Sequence, residues 1–295
     1  MTNRSLTNKY GQGRKNGHQD KDSGGASVGR QGLTPDEVQF QGDCQLAQGD
    51  YEQAIQSYKI AADGDRKNPD RRTRLGDAFL LTNNPSRALG HLKQAIKTSP
   101  RKASPHFSLA ELYRSYGKWN AAIIEYKRAV QFDPENAMYQ FKLGEAHLKA
   151  QDNRSGLECM RKAVALDKSN SYYHFRLGEV LLVNEQYEEA VTHMQLASIY
   201  APEDGYYAMR YGVLLLRLGR TNEAIDVLAT ANKLRPGDPM FLCLLGDAYL
   251  REGLENEAIQ QYRNAGILDE YDSVNLTLLR QQVDEEYQLS RVVDE

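Results

Sequence analysis

Small residues recur along the chain at intervals of 34 positions. In the stretches between them, apolar residues recur among polar ones with the period of an α-helix. The first series is Gly42, Gly76, Ala110, Gly144, Gly178, Gly212 and Gly246. A second series begins at Ala54, and a third, made entirely of alanine, begins at Ala61. A fixed period of this length indicates a repeat array, in which each unit contacts mainly its neighbours.

Each 34-residue unit predicts two amphipathic helices joined by a tight turn. In the third unit, residues 105–115 precede Gly117, and residues 120–131 precede Asp133 and Pro134. Glycine at the turn suits a left-handed helix end, and proline at the end of the unit stops the second helix. Two helices that cross at short distance need a residue without bulk at the contact. We therefore expect the small residues to lie between the helices.

The sequence resembles the tetratricopeptide repeat over about residues 35–270. The resemblance is carried by Leu-Gly at 75–76, 143–144, 177–178 and 245–246, by an aromatic residue three positions later (Phe79, Tyr249), and by alanine, aromatic and proline residues at fixed offsets. It implies an all-α, right-handed α-solenoid of antiparallel helix pairs. The seven repeats are predicted at 35–68, 69–102, 103–136, 137–170, 171–204, 205–238 and 239–270.

The two ends of the chain differ from the repeats in charge. Residues 1–33 carry six basic and two acidic residues among glycine and polar residues, which predicts a disordered basic N-terminal tail. Residues 269–295 carry eight acids against two arginines. Leu276, Leu279 and Val283 occupy the apolar positions of a first helix, so residues 271–295 are predicted to form an acidic capping helix.

The composition also indicates which classes of function and which location are expected. The net charge is −3 and the repeats are almost neutral, which does not favour nucleic-acid binding. The three cysteines lie far apart, as is typical of a reducing compartment. No apolar run approaches the roughly 20 residues of a membrane span, so no membrane insertion is expected. A cytoplasmic protein is the simplest interpretation.

Catalytic and metal-binding motifs are not found in the sequence. The six histidines form neither a His-Glu-x-x-His pattern nor a zinc spacing, and packing roles are favoured for them. No nucleophile elbow, dinucleotide fingerprint or phosphate loop occurs. The chain is therefore predicted not to be an enzyme and to need no cofactor or metal.

The resemblance also implies where a partner binds, because the first helices of tetratricopeptide arrays line a concave face that usually holds peptides. The positions assigned to that face carry an apolar ladder beside a basic line, with an acidic line (Glu111, Glu145, Glu179) one turn away. Aromatic and arginine residues are common binding hot spots. The predicted partner-binding groove comprises Phe107, Phe141, Lys142, Tyr172, Phe175, Arg176, Tyr206, Met209 and Arg210.

An alternative interpretation applies to the same residues. The rings could pack against neighbouring repeats and complete the core, and the charges, three positions apart, could pair within each helix.

Three functions stay open at this point. The first is a scaffold or adaptor that binds a protein or peptide partner during assembly of a complex. The second is a head-to-tail homo-oligomer, in which the acidic C-terminal end meets the basic tail or the arginine-bearing repeats. The third is a non-catalytic subunit of an enzyme complex.

Overall fold

The computed structural model describes residues 32–267, 279–283 and 285. Within these ranges every regular element is a helix. The helices are α1 Pro35–Gln48, α2 Tyr51–Gly64, α3 Pro69–Leu81, α4 Pro85–Thr98, α5 Ala103–Ser115, α6 Trp119–Phe132, α7 Ala137–Lys149, α8 Asn153–Leu166, α9 Ser171–Val183, α10 Tyr187–Tyr200, α11 Gly205–Arg217, α12 Thr221–Leu234, α13 Pro239–Glu252 and α14 Glu255–Asn264.

The chain divides into two compact units, Met1–Asp152 and Asn153–Glu295. In the first unit, α1 packs on α2, α3 on α4 and α5 on α6, and α7 follows on α6. In the second unit, α8 packs on α9, and the pairs are α9 with α10, α11 with α12 and α13 with α14. Each unit is therefore a stack of helix hairpins, in agreement with the all-α expectation.

Side-chain caps fix where the first helices begin. Thr34 accepts a hydrogen bond from the backbone N–H of Glu37, and the Glu37 carboxylate accepts one from the Thr34 N–H at 2.7 Å. This reciprocal capping box satisfies two backbone donors that α1 itself cannot. Later first helices use a single acceptor at the same place, supplied by Asn68, Asn136, Asn170, Asp204 and Asp238.

The turn between the two helices of a repeat requires a positive φ at one position. Glycine occupies it at Gly49, Gly117, Gly219 and Gly253, as the sequence suggests. The other three repeats place a residue with a side chain in the same left-handed conformation: Asn83 at φ 56°, Gln151 at φ 63° and Glu185 at φ 59°. The turn geometry is therefore kept even where the residue does not favour it.

The small residues lie at the helix contacts, as expected. A Cβ added at Gly212 would lie 2.6 Å from Cγ of Leu228, and one at Gly246 would lie 2.7 Å from Cε1 of Tyr262. Normal carbon contacts are about 3.5–4.0 Å, so these helices approach too closely for any side chain. In the second helices, Ala190 is fully buried, as are the other alanines Ala54, Ala61, Ala88, Ala95, Ala122, Ala129, Ala163, Ala197, Ala224, Ala231 and Ala258.

The predicted ends of the chain lie mostly outside the described residues. This applies to the basic tail up to residue 31 and to most of the acidic cap. Within the cap, residues 279–283 and 285 are helical and Val283 is buried. Arg280 bonds Glu255 at the start of α14, with 2.9 Å between guanidinium nitrogen and carboxylate oxygen. The described part of this segment thus packs on the second unit, and the rest of the cap stays a prediction.

Candidate functional site

The nine predicted groove residues lie on first helices. Phe107 is on α5, and Phe141 and Lys142 are on α7, so these three belong to the first unit. The other six are on α9 and α11 of the second unit: Tyr172, Phe175, Arg176, Tyr206, Met209 and Arg210. The two groups are therefore parts of separate compact units.

Four members of the apolar ladder are buried. Phe107, Phe141, Phe175 and Met209 are at most 6% exposed, so the expectation that they form an accessible ladder is wrong. For Phe107 and Phe175, an aromatic residue on the next first helix contributes to this burial. The Phe107 ring stacks on Tyr139 with 4.7 Å between centroids, and the Phe175 ring lies 5.4 Å from that of Tyr207. The alternative interpretation, rings that complete the core between repeats, describes these residues.

A shorter apolar row stays exposed in the second unit. Tyr172, Tyr206 and Met240 occupy the same position of α9, α11 and α13 and are 44%, 41% and 57% exposed. The buried Phe175 supports the row, because its ring meets that of Tyr206 edge-on at 5.5 Å. Sequence reasoning found both tyrosines but left Met240 out of the predicted groove, although it continues the same 34-residue spacing.

The basic and acidic lines pair with each other. Lys142 bonds Glu145 at 2.7 Å, and Arg176 bonds Glu179 at 2.5 Å, both within one helix. Glu179 also accepts a bond from Arg210 of the next first helix at 3.1 Å. Two guanidinium groups thus share one carboxylate beside the exposed row. The Arg210 guanidinium also lies 5.7 Å from the centroid of the Phe175 ring.

The histidine of the third repeat is held in a polar pair within the core. His106 is buried, its Nδ1 lies 2.6 Å from a carboxylate oxygen of Glu125, and its Nε2 lies 3.0 Å from the carbonyl oxygen of Pro100. Both partners are hydrogen-bond acceptors, and these two contacts hold the ring in place in the core. This agrees with the packing role that the sequence favoured for the histidines. Among the described residues, no group of three or more histidine, cysteine or acidic side chains could hold a metal ion.

The equivalent histidine of the fifth repeat borders a surface pocket that the sequence did not indicate. His174 on α9 faces His193 on α10 with 2.9 Å between their Nδ1 atoms, and its Nε2 lies 3.0 Å from the carbonyl oxygen of Lys168. The pocket beside them measures about 360 Å³ and lies between α8 and α10. Its lining combines Val164, Leu177, Leu196 and Tyr200 with the cations Arg161 and Lys168.

The position of this pocket differs from that of the exposed row. Tyr172 and His174 are two residues apart on α9, which places them about 200° apart around the helix. His174 faces the second helix of its repeat, whereas Tyr172 is exposed. The second unit therefore presents two separate surfaces.

In the described residues, no helix is both long and apolar enough to cross a bilayer.

Comparison with protein families agrees with the repeat pattern. Profiles described as tetratricopeptide repeat match residues 39–72, 141–208, 194–239 and 212–272, and a profile described as TPR repeat matches residues 110–151. No curated protein matches the chain. The chain belongs to the tetratricopeptide repeat family.

Solved structures show the same fold. PilF of Pseudomonas aeruginosa is 20% identical with a TM-score of 0.59, over 70% of this chain and 94% of PilF. YrrB, described as a TPR protein with an unusual peptide-binding site, is 20% identical with a TM-score of 0.54, over 66% of this chain and 97% of YrrB. TTC0263 of Thermus thermophilus is 21% identical with a TM-score of 0.51, over 62% of this chain and all of its own. Together with the helix pairs, these similarities confirm the α-solenoid class.

Proposed function

We propose that this protein is a non-catalytic scaffold that binds a partner segment on the first helices of its second unit. The observation that carries the proposal is the row of Tyr172, Tyr206 and Met240, which repeats an exposed large apolar side chain on three successive first helices. Solubility alone favours polar residues at such positions, and exposed apolar patches commonly mark interaction sites. Tyrosine and arginine are also the residue types enriched among binding hot spots.

The geometry of the row suggests the form of the partner. Packed helices lie roughly 10 Å apart, and an extended peptide advances about 3.3 Å per residue. An extended segment that crosses α9, α11 and α13 therefore meets the row at about every third residue. YrrB, which shares the fold, is described as having a peptide-binding site, and this supports a peptide as the ligand class.

The buried members of the predicted groove have a different role in this proposal. Phe107, Phe141, Phe175 and Met209 are part of the core of their own units, and Phe175 also positions the exposed row through its contact with Tyr206. Lys142 pairs with Glu145 in the first unit. Replacing Phe175 by alanine should cost about 3–5 kcal/mol of stability, so its loss would not report on binding. The cytoplasmic location and the lack of nucleic-acid binding stay predictions from the sequence.

Selection from a library of displayed random peptides tests the proposal. Peptides enriched on the wild type should carry apolar residues about three positions apart. They should lose binding to the Tyr172→Ala/Tyr206→Ala variant, and the unfolding midpoint of that variant should stay close to that of the wild type. The matched control is Val183→Ala, which removes a 76% exposed apolar side chain from the end of α9 and should leave binding unchanged.

Enriched peptides that bind the double variant as well as the wild type would exclude the row as the binding site. A loss of binding in Val183→Ala of the same size would show that the assay responds to any exposed apolar residue. If the row is the binding site, the identity of the natural partner would decide whether the scaffold serves an enzyme complex or another assembly.

A further inference from the structure

The pocket between α8 and α10 combines an apolar floor with a positively charged rim. Leu177 and Leu196 form part of the floor, and Tyr200 closes one side, with its ring 5.4 Å from that of His174. None of the described residues that line the pocket is acidic. A bulky apolar side chain next to carboxylates fits these surroundings, because the first removes the floor from water and the second meets the rim charges.

The rim charges differ in how far they are already neutralised. Arg161 bonds Glu189 of the next repeat at 2.6 Å, so much of its charge is already balanced within the chain. Lys168 is exposed, and among the described residues no side chain pairs with its ammonium group. His174 and His193 hold each other in place through the bond between their Nδ1 atoms. Lys168 is therefore the cation best placed to receive an acid from outside.

This chain itself contains a segment of complementary composition. Residues 284–295 carry five acids and one arginine, and the apolar residues Tyr287, Leu289, Val292 and Val293 lie between the acids. Their attachment point is known, because residues 279–283 are helical with Val283 buried, and Arg280 bonds Glu255 on α14. Residues 286–295 lie outside the described ranges.

The short distance in sequence between the attachment point and the apolar residues of this segment favours a contact between molecules. From α14 to the space between α10 and α8 the span is roughly two and a half helix spacings of about 10 Å each. A fully extended residue covers at most about 3.6 Å, so roughly seven residues would be used in crossing. Tyr287 and Leu289, the bulkiest apolar residues of the segment, could not then reach the pocket of their own molecule.

We propose that the pocket between α8 and α10 binds the acidic segment 284–295 of a second copy of this chain. The contact joins two different surfaces, so it is heterologous and repeats from molecule to molecule in an open chain. It is independent of the exposed row on the first helices. It gives the head-to-tail alternative considered from the sequence a specific pair of surfaces.

Sedimentation velocity of the full chain at increasing concentration tests this contact. The wild type should associate in a concentration-dependent way, and high salt should weaken the association because the rim charges are exposed. Lys168→Glu should weaken association about tenfold or more, and adding Glu286→Lys to the same chain should restore most of it. The matched control is Lys162→Glu, a charge reversal on α8 outside the pocket, at a lysine that bonds Glu158. It should leave association unchanged.

A mixing experiment identifies the direction of the contact. The Lys168→Glu chain keeps its acidic segment, and a Tyr287→Ala/Leu289→Ala chain keeps its pocket. Each should be mainly monomeric alone, and together they should form dimers that grow no further. A wild type that stays monomeric at high concentration and low salt would overturn the proposal. So would association that is indifferent to Lys168→Glu, or a change that does not depend on concentration and therefore occurs within one molecule.

Discussion

Replacing Gly212 by alanine should destabilise the second unit, although alanine is the better helix former. In an open helix this change gains about 1 kcal/mol. At Gly212, however, the new Cβ would lie 2.6 Å from Cγ and 2.7 Å from Cδ2 of Leu228, about 1 Å inside normal contact. Leu228 is fully buried and cannot swing away, so either its rotamer or the spacing of α11 and α12 must change. Overpacking costs about 1–3 kcal/mol, and an overlap of this size against a buried side chain belongs to the upper part of that range, about 2–3 kcal/mol. Less the helix-propensity gain, the net loss is roughly 1–2 kcal/mol.

Urea unfolding followed by far-ultraviolet circular dichroism measures this loss, and hydrogen exchange localises it to α11 and α12. The control is Gly90→Ala in the middle of α4, where nothing lies within 4 Å of the added Cβ and the residue is exposed. That variant should be stabilised by about 0.5–1 kcal/mol. Adding Leu228→Ala to Gly212→Ala should cost less than the sum of the single changes, since the new methyl group occupies part of the cavity. A Gly212→Ala chain as stable as the wild type would show that the close helix contact does not require glycine.

Three further substitutions test other features. Burial, and then the charge of Arg72, lower the pKa of His91 below its ordinary 6.5, so the stability it contributes is present above that pH and is lost as the pH falls; His91→Asn should flatten the fall in urea midpoint below about pH 6.5. Tyr58→Phe removes a 2.7 Å hydrogen bond to Asp43 while the ring stays in place, and should cost about 1 kcal/mol in urea unfolding. Glu185→Gly should raise the thermal midpoint, with a gain of about 0.5–1 kcal/mol, because glycine adopts φ 59° without strain.

Most of the fold could be predicted from the sequence because one spacing fixes several features at once. The small residues, the turn glycines and the closing prolines all return after 34 positions, so helix pairing and helix contacts follow from a single register. The turns were predicted incompletely. Asn83, Gln151 and Glu185 adopt the conformation of the turn glycines. Asparagine tolerates this conformation, but the residue types of Gln151 and Glu185 give no sign of it. Position in the repeat, rather than residue type, identifies them.

The candidate surface was harder to predict because exposed and buried aromatic residues alternate on the same helices. Phe175 and Tyr206 both sit at positions assigned to the open face, yet the first is 6% and the second 41% exposed. The difference depends on a neighbour in the next repeat, Tyr207, whose ring lies 5.4 Å from that of Phe175. A count of large residues at the third position of each first helix would have revealed this. The pocket beside His174 involves three helices and has no signature within one repeat.

The aromatic contacts also determine which repeats can be exchanged. The bond between Tyr58 and Asp43 lies within one repeat, as does that between Tyr262 and Asp247, so each moves with its repeat as a unit. The contact of the Phe175 ring with Tyr207 instead joins two consecutive repeats. Transplanting the fifth repeat alone would leave its phenylalanine without its partner, whereas moving the fifth and sixth together would keep the pair. Side-chain contacts between repeats therefore determine which repeats must stay adjacent. Repeats should be rearranged only at boundaries that no such pair spans.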